Sequence, residues 1–280
     1  MPIALTIAGS DSGGGAGIQA DLKTFHQFGV HGTTAIVAVT AQNTMGVTAV
    51  HAVPPDVVDA QLDALAADLP PHAAKTGMLA TAPLVRQVAA AIERYAWRRY
   101  VLDPVMVSTS GARLLSEEAE QLVLTRLVPL AAVVTPNLEE AEVLARHSGL
   151  GARHSATVEW MVEAGRLLLE GGAGAALVKG GHLERDELVD VLITRSGVSE
   201  YRHPRIPTTS THGTGCTLSA AITGGLARWA AAHGDEAPPL ELIVADAVAF
   251  VQRAIAAAPG LGAGHGPVSH FVETGRSVAG

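Results

Sequence analysis

The feature that most constrains this chain is its rhythm. Short apolar, β-branched runs alternate with longer stretches that place hydrophobic residues every three or four positions. The runs fall at residues 3–8, 33–39, 73–76, 100–102, 132–135, 175–178 and 188–194. Between most of them the helical period predicts helices over 18–28, 56–69, 81–95, 116–127, 138–147 and 158–169. Strand–helix–strand succession makes parallel neighbours joined by crossovers, and such a sheet is covered by helices on both faces. The expected class is α/β, a three-layer α/β/α sandwich around a mostly parallel central sheet. After residue 178 the rhythm changes. Runs at 188–194 and 200–205 flank Arg195-Ser196-Gly197, which reads as a hairpin turn, and closing helices follow near 213–231 and 240–257.

Composition narrows what such a sheet could serve. Apolar residues make up 48 % and charged ones 16 %, a core-rich balance rather than a disordered one. There is no internal repeat and no composition shift large enough to mark a linker, so residues 1–280 read as one domain. Nineteen basic against 27 acidic residues leave a net charge of −8. That disfavours a sequence-independent nucleic-acid partner but leaves room for one basic pocket. The longest apolar stretch, 242–258, carries Asp246, Gln252 and Arg253, so no membrane span is expected. The N-terminus has no basic leader and no apolar leader core, so a cytoplasmic protein is expected. Cys216 is the only cysteine, which excludes an intramolecular disulfide.

Ligands of open parallel sheets bind where strands end and helices begin, and several polar or glycine-rich clusters fall there. The first is Gly9-Ser10-Asp11-Ser12-Gly13-Gly14-Gly15-Ala16-Gly17. It lacks the last glycine of a dinucleotide fingerprint, because Ile18 stands in that place, and the chain has no Gly-Lys-Ser or Gly-Lys-Thr. It is either a plain flexible loop or a ligand cradle. In the second cluster, Thr211-His212-Gly213-Thr214-Gly215-Cys216 opens an apolar helix. Unpaired amides at a helix start form an anion site, and the helix dipole lowers the pKa of a thiol in the first turn. The alternative for Cys216 is a small buried hydrophobe. In the third, Lys179, one of three lysines, ends an apolar strand before Gly180-Gly181 and suits a phosphate, although a solvated lysine fits equally. His182 reads as a polar loop residue.

Asn137 and Glu140 match a helix-capping pair, and Glu140 could alternatively organise magnesium beside phosphates. Asp103, before Pro104-Val105-Met106, is either a turn former or a metal or phosphate organiser, with Ser110-Gly111 following. Gln42 could read a planar heterocycle through its amide, and Met78 could pack on a ring, but each is as easily structural.

Taken in order, the stretches Thr6-Ile7-Ala8-Gly9-Ser10-Asp11, Gly14-Gly15-Ala16-Gly17-Ile18-Gln19-Ala20-Asp21, Ala41-Gln42-Asn43-Thr44, Lys75-Thr76-Gly77-Met78, Asp103-Pro104-Val105-Met106, Thr135-Pro136-Asn137, Lys179-Gly180-Gly181 and His212-Gly213-Thr214-Gly215-Cys216 resemble the bifunctional hydroxymethylpyrimidine/phosphomethylpyrimidine kinases of thiamine biosynthesis. These enzymes have the ribokinase-like fold. The resemblance implies phosphate transfer from ATP, first to the hydroxymethyl of 4-amino-5-hydroxymethyl-2-methylpyrimidine and then to its monophosphate. It implies that Gln42 binds the pyrimidine, with Gly9, Ala16, Asp21, Met78 and Val105 lining its pocket. Asp103 and Glu140 would organise magnesium, and Asn137, Lys179 and Thr211 would attend the ATP phosphates. Gly213, Thr214, Gly215 and Cys216 would form the catalytic anion hole, with Cys216 as base. A homodimer is likewise implied.

One departure stands out. Asp11-Ser12-Gly13-Gly14-Gly15 replaces the family's usual Asp-Pro-Ser-Gly-Gly, and losing the proline should loosen that loop. The rival readings are a pyridoxal or pyridoxine kinase of the same fold and a non-catalytic pyrimidine-binding protein.

Overall fold

The computed structural model describes residues 1–106, 115–147, 157–181 and 187–275; Ser110-Gly111 and His182 lie outside them. In chain order the elements are β1 (Ile3–Asp11), α1 (Gly17–Gln27), β2 (His31–Asn43), β3 (Gly46–Ala52), α2 (Pro55–Asp68), β4 (Ala73–Thr76), α3 (Ala82–Arg94), β5 (Tyr100–Leu102), α4 (Glu117–Leu122), β6 (Val133–Val134), α5 (Leu138–His147), α6 (Val158–Glu170), β7 (Ala175–Val178), β8 (Glu187–Thr194), β9 (Val198–Pro204), α7 (Thr214–His233) and α8 (Leu240–Ala256). The strands form one sheet in the order β3-β2-β1-β4-β5-β6-β7-β8-β9. The neighbours from β2 to β7 are parallel. The β2–β3, β7–β8 and β8–β9 pairs are antiparallel. The turn Arg195-Ser196-Gly197 closes the last hairpin, with Thr194 N–H bonded to Gly197 O at 2.9 Å.

Side-chain alternation decides which helix covers which face. On β1, Leu5 and Ile7 point into a core shared with α2, α3 and α4, whereas Ala4 points into a second core built with α1, α7 and α8. Helix α3 shows why its segment is helical. Leu84, Val85, Val88, Ala89, Ala91 and Ile92 share its buried face, and Thr81 caps it by accepting from Leu84 N–H. Helices α5 and α6 cover β7 and β8 through a third apolar cluster. The three-layer, mostly parallel architecture expected from the sequence is therefore present.

Three local expectations are corrected. Strand β3 went unread, since its residues are mostly exposed and carry no core periodicity. The helix expected over 116–127 is α4 followed by a π-turn at Val123–Leu127 and a 3-10 turn at Val128–Leu130. Strands β1 and β2 run on to Asp11 and Asn43, past their apolar stretches, because β1 pairs with β2 as far as Asp11 and Thr40 and the end of β2 pairs with β3 through Asn43 and Gly46.

The order of the sheet locates the site. The chain leaves β1 toward β2 on one side and returns to β4 on the other, so a crevice opens at their carboxyl ends. Gly9-Ser10-Asp11 and Lys75-Thr76-Gly77-Met78 both end there.

Candidate active site

Two hollows adjoin above this crevice. The smaller, of about 160 Å³, is walled among others by Gly9, Ala16, Asp21, Gln42, Met78 and Val105. Asp103, Glu140, Lys179 and the run Gly213–Cys216 complete it. The larger, of about 520 Å³, contains Asn137, Lys179 and Thr211 and extends to Val251 and Ile255 of α8. Every site residue expected from the sequence thus lies on one hollow or the other. Lys179, Thr214 and Gly215 border both.

The glycine-rich loop after β1 is tied to the Asp11 carboxylate. Asp11 Oδ1 accepts from Gly13 N–H at 2.8 Å, and Oδ2 accepts from Gly15 and Ala16 N–H at 3.0 and 2.8 Å. His212 Nε2 also approaches Oδ2, at 2.8 Å. Burial works against the Asp11 carboxylate, but the bonds from His212 and the amides of Ala16 and Gly13 prevail and hold its pKa below the ordinary value. The Asp11 carboxylate fastens this proline-free loop. Gly9 lets Met78 lie directly on β1, since a Cβ there would sit 2.5 Å from the methionine's Cε.

Asp21 lines the hollow as expected, but its carboxylate is engaged. It takes Lys75 Nζ at 2.7 Å and Thr6 Oγ1 at 2.6 Å, all three residues being fully buried. Gln42 lies between Thr40, whose Oγ1 is 3.1 Å from its Oε1, and His212, whose ring nitrogen is 3.4 Å from its Nε2.

On the other flank, Asp103 follows β5 and is buried. Its Oδ1 is 3.3 Å from Lys179 Nζ, and its Oδ2 accepts from Ser219 Oγ at 3.0 Å. Asn137 and Glu140 form a reciprocal cap: Glu140 Oε2 accepts from Asn137 N–H and Asn137 Oδ1 from Glu140 N–H, each at 2.8 Å. The capping reading therefore holds, yet the same Glu140 oxygen is 3.9 Å from Lys179 Nζ. Burial lifts the Glu140 pKa to about 7, against the pull of Lys179. Burial opposes the Lys179 ammonium too, but Asp103 and Glu140 outweigh it and keep the group charged.

Gly213 precedes helix α7 at φ +83, a left-handed conformation, and no side chain caps the helix. A Cβ at Gly213 would meet Gly15 O at 1.8 Å, so the two loops touch backbone to backbone. The first turn of the helix lines the hollows with Gly213–Cys216, and its Thr214 N–H donates to Thr211 O at 3.3 Å. Half-buried Cys216 lies in that first turn. The expected lowering of its thiol pKa is corrected: burial pushes it up to about 12, with Lys75 pulling the other way and Asp21 and Asp103 adding to the rise. Desolvation outweighs the dipole here.

Sequence reasoning missed Asp11, Lys75, Thr40 and His212. Asp11, Lys75 and His212 stood inside the matched motifs, and a charged or titratable residue next to glycines or in an apolar run was the available signal.

The architecture matches known proteins closely. A pyridoxal kinase of Bacillus subtilis, solved as an ADP complex, superposes with a TM-score of 0.85 at 37 % identity, covering 96 % of this chain and 97 % of that one. Fold and site together define a small-molecule kinase with the ribokinase-like fold. The hydroxymethylpyrimidine/phosphomethylpyrimidine kinase of Escherichia coli (strain K12) is 46 % identical over 270 residues, which cover 96 % of this chain and 97 % of that protein. The thiamine biosynthesis bifunctional protein ThiED of Geobacter sulfurreducens is 46 % identical over 268 residues, and the match spans about half of that protein, 52 %. Residues 11–269 match the family described as phosphomethylpyrimidine kinase, and the chain belongs to that family.

Proposed function

We propose that this chain phosphorylates 4-amino-5-hydroxymethyl-2-methylpyrimidine with ATP, and then phosphorylates the resulting monophosphate, in thiamine biosynthesis. One observation carries the reading: a heterocycle-sized hollow and a larger one meet at Lys179, Thr214 and Gly215, next to the Cys216 thiol. The pyrimidine occupies the smaller hollow, with Gln42 against its amine and ring nitrogen and Met78 against its face. ATP occupies the larger, its phosphates attended by Lys179, Asn137 and Thr211. In-line transfer depends on positioning and charge neutralisation, which Lys179 and the amides of Gly213–Cys216 supply.

Magnesium fits the donors present. Among the described residues no cluster of three His, Cys, Asp or Glu side chains could hold a metal, but magnesium beside phosphates needs only one or two carboxylates. Asp103 and Glu140 would hold it, and the ion would neutralise phosphate charge.

The two steps differ in what they ask of Cys216. An alcohol must lose a proton as its oxygen bonds to phosphorus, and Cys216 takes that proton as a thiolate, the minor but strongly basic form of a thiol whose pKa burial raises. A phosphate monoester already carries an anionic oxygen near neutral pH, so the second step needs no base. Cys216→Ala should therefore lower kcat about 10²–10⁴-fold for the alcohol and far less for the monophosphate, with folding intact. Equal losses in both steps would reject the base role. Product mass after incubation with ATP, magnesium and the alcohol tests the whole reading: two added phosphates support it, and none sinks it.

The likeness to a pyridoxal kinase keeps that activity as a second reading, which a parallel assay with pyridoxal decides. We also propose that residues 1–280 form one cytoplasmic kinase domain. No described helix is long and apolar enough to cross a membrane. Two copies pairing as a homodimer would cover Val39, Met45 and Val50, which the β2–β3 edge leaves exposed.

A further inference from the structure

Gln42 is gripped more firmly than a plain hydrogen-bonding side chain needs to be. Ser12 Oγ accepts from Gln42 N–H at 2.8 Å and donates to Gln42 O at 2.7 Å, so the backbone of Gln42 is tied to the loop after β1. Its carboxamide lies between Thr40 Oγ1, at 3.1 Å, and His212 Nε2, at 3.4 Å. A carboxamide fills such a gap either way round, and the protons of its neighbours decide which. His212 Nε2 is 2.8 Å from Asp11 Oδ2, an oxygen that also accepts from Gly15 and Ala16 N–H. A carboxylate only accepts, so His212 Nε2 carries a proton. A protonated ring nitrogen has no lone pair for an amide NH₂, but it can share its N–H with an amide oxygen. At the other end, Thr40 Oγ1 lies 2.8 Å from Ser10 O, which also only accepts. The single hydroxyl proton goes there, and toward Gln42 the hydroxyl is an acceptor. Both counts turn the amide the same way, with its oxygen toward His212 and its nitrogen toward Thr40.

We propose that Asp11, His212 and Thr40 are positioning residues that fix the polarity of the Gln42 carboxamide, and thereby select a ring that carries an amine beside a bare ring nitrogen. The proposal rests on Gln42 as reader of the pyrimidine. All four residues line the smaller hollow. With the amide so held, its remaining lone pair lies on the His212 side and its remaining N–H on the Thr40 side. The substrate's amine donates to the first, and its ring nitrogen accepts from the second. A pyrimidin-4-one presents the reverse pattern, a carbonyl beside a ring N–H. A freely turning glutamine would serve that ring equally well after half a turn. Gripped at both ends, Gln42 cannot turn without setting its NH₂ against the His212 N–H and its oxygen against the buried Thr40 hydroxyl, whose proton is already given to Ser10. Leaving buried polar groups opposed in this way is what makes a hydrogen-bonding site reject a near-isostere.

The test is binding in the absence of ATP. Titration calorimetry gives Kd for the aminopyrimidine alcohol and for the pyrimidin-4-one that bears the same hydroxymethyl and methyl groups. The parent should prefer the amine by about a hundredfold or more. His212→Leu removes the ring N–H and should cut that preference about tenfold, because Gln42 can then turn to meet the oxo ring. Thr40→Val releases the other end and should cut the preference by a similar factor, which keeps the test in force if His212→Leu does not fold. Gln42→Met should abolish the preference, and adding His212→Leu to Gln42→Met should change the ratio no further, since the two residues act as one unit.

A merely structural role predicts something different: both rings bind more weakly in His212→Leu and Thr40→Val, by the same factor, and the preference stays. That result would overturn the proposal while leaving Gln42 as the reader. So would a His212→Leu effect on the ratio that persists undiminished in the Gln42→Met background. A preference that survives Gln42→Met would instead refute Gln42 as the reader, and a parent that binds neither ring would refute the pyrimidine reading itself.

Discussion

Replacing Asp11 with asparagine keeps size and shape and removes one acceptor oxygen. In the parent, three loop amides and His212 converge on its two oxygens at 2.8–3.0 Å. Whichever way the asparagine amide turns, its NH₂ faces at least one backbone N–H. A hydrogen bond to a charged group contributes a net of about 1.5–3 kcal/mol. Asparagine loses the charge on all four contacts and one or two of the bonds outright; a freed Gly13 amide lies on an exposed residue and regains water, whereas Gly15 is buried. The expected destabilisation is about 2–4 kcal/mol, readable as a lower urea midpoint at unchanged slope.

Because Asp11 lines the smaller hollow and not the larger, KM for the pyrimidine should rise roughly tenfold, about 1.4 kcal/mol of binding, while KM for ATP stays put. The carboxylate's pKa is lowered in the folded state, so its contribution is present above the ordinary value. The gap between parent and variant should therefore close as pH falls below about 4. A stability change under about 0.5 kcal/mol, within the range of ordinary surface substitutions, together with an unchanged pyrimidine KM, would refute the carboxylate as fastener of the loop.

Gly213→Ala forces a side chain into left-handed backbone and against Gly15 O; it should abolish measurable turnover, whereas Gly197→Ala, with open space around it, should change stability by less than about 0.5 kcal/mol. His270 is buried beside Thr217 Oγ1, and burial lowers its pKa to about 4. The unfolded chain binds the extra proton between about pH 6.5 and 4, so stability should fall as pH drops through that window, by on the order of 3 kcal/mol in full. Denaturation at pH 7 and pH 5 should show this slope flattened in His270→Gln. Gln42→Met should reduce kcat/KM for the aminopyrimidine relative to pyridoxal; an unchanged ratio would remove Gln42 as the reader of the heterocycle.

Most of the sheet and nearly all of its helices were legible because buried strands and amphipathic helices carry their periods in the sequence. Residues 73–76, 100–102 and 175–178 coincide with β4, β5 and β7. Strand β3 was not legible, because an exposed edge strand imposes no apolar pattern. The π-turn after α4 keeps a helical hydrophobic pattern, so its backbone irregularity leaves no mark in the sequence. Within the site, residues beside glycines or at strand ends could be named. Asp11 with His212, 201 positions apart, and Asp21 with Lys75, 54 positions apart, could not be paired, because only the folded sheet brings them together. Cys216 was placed in its helix turn by sequence, but its protonation depends on burial, which emerges only from packing.

The partition formed by Lys179, Thr214 and Gly215 has a consequence for ligand design. Both chambers border it, and Gly215 brings no side chain to it. A Cβ added there would approach Lys179 Nζ to 3.4 Å. A single molecule that joins the heterocycle to adenosine through a polyphosphate tether would cross this threshold and occupy both chambers at once. Its affinity would gain from prepaid association entropy, and a bulkier residue at 215 would bar the tether while leaving each chamber open to its separate guest.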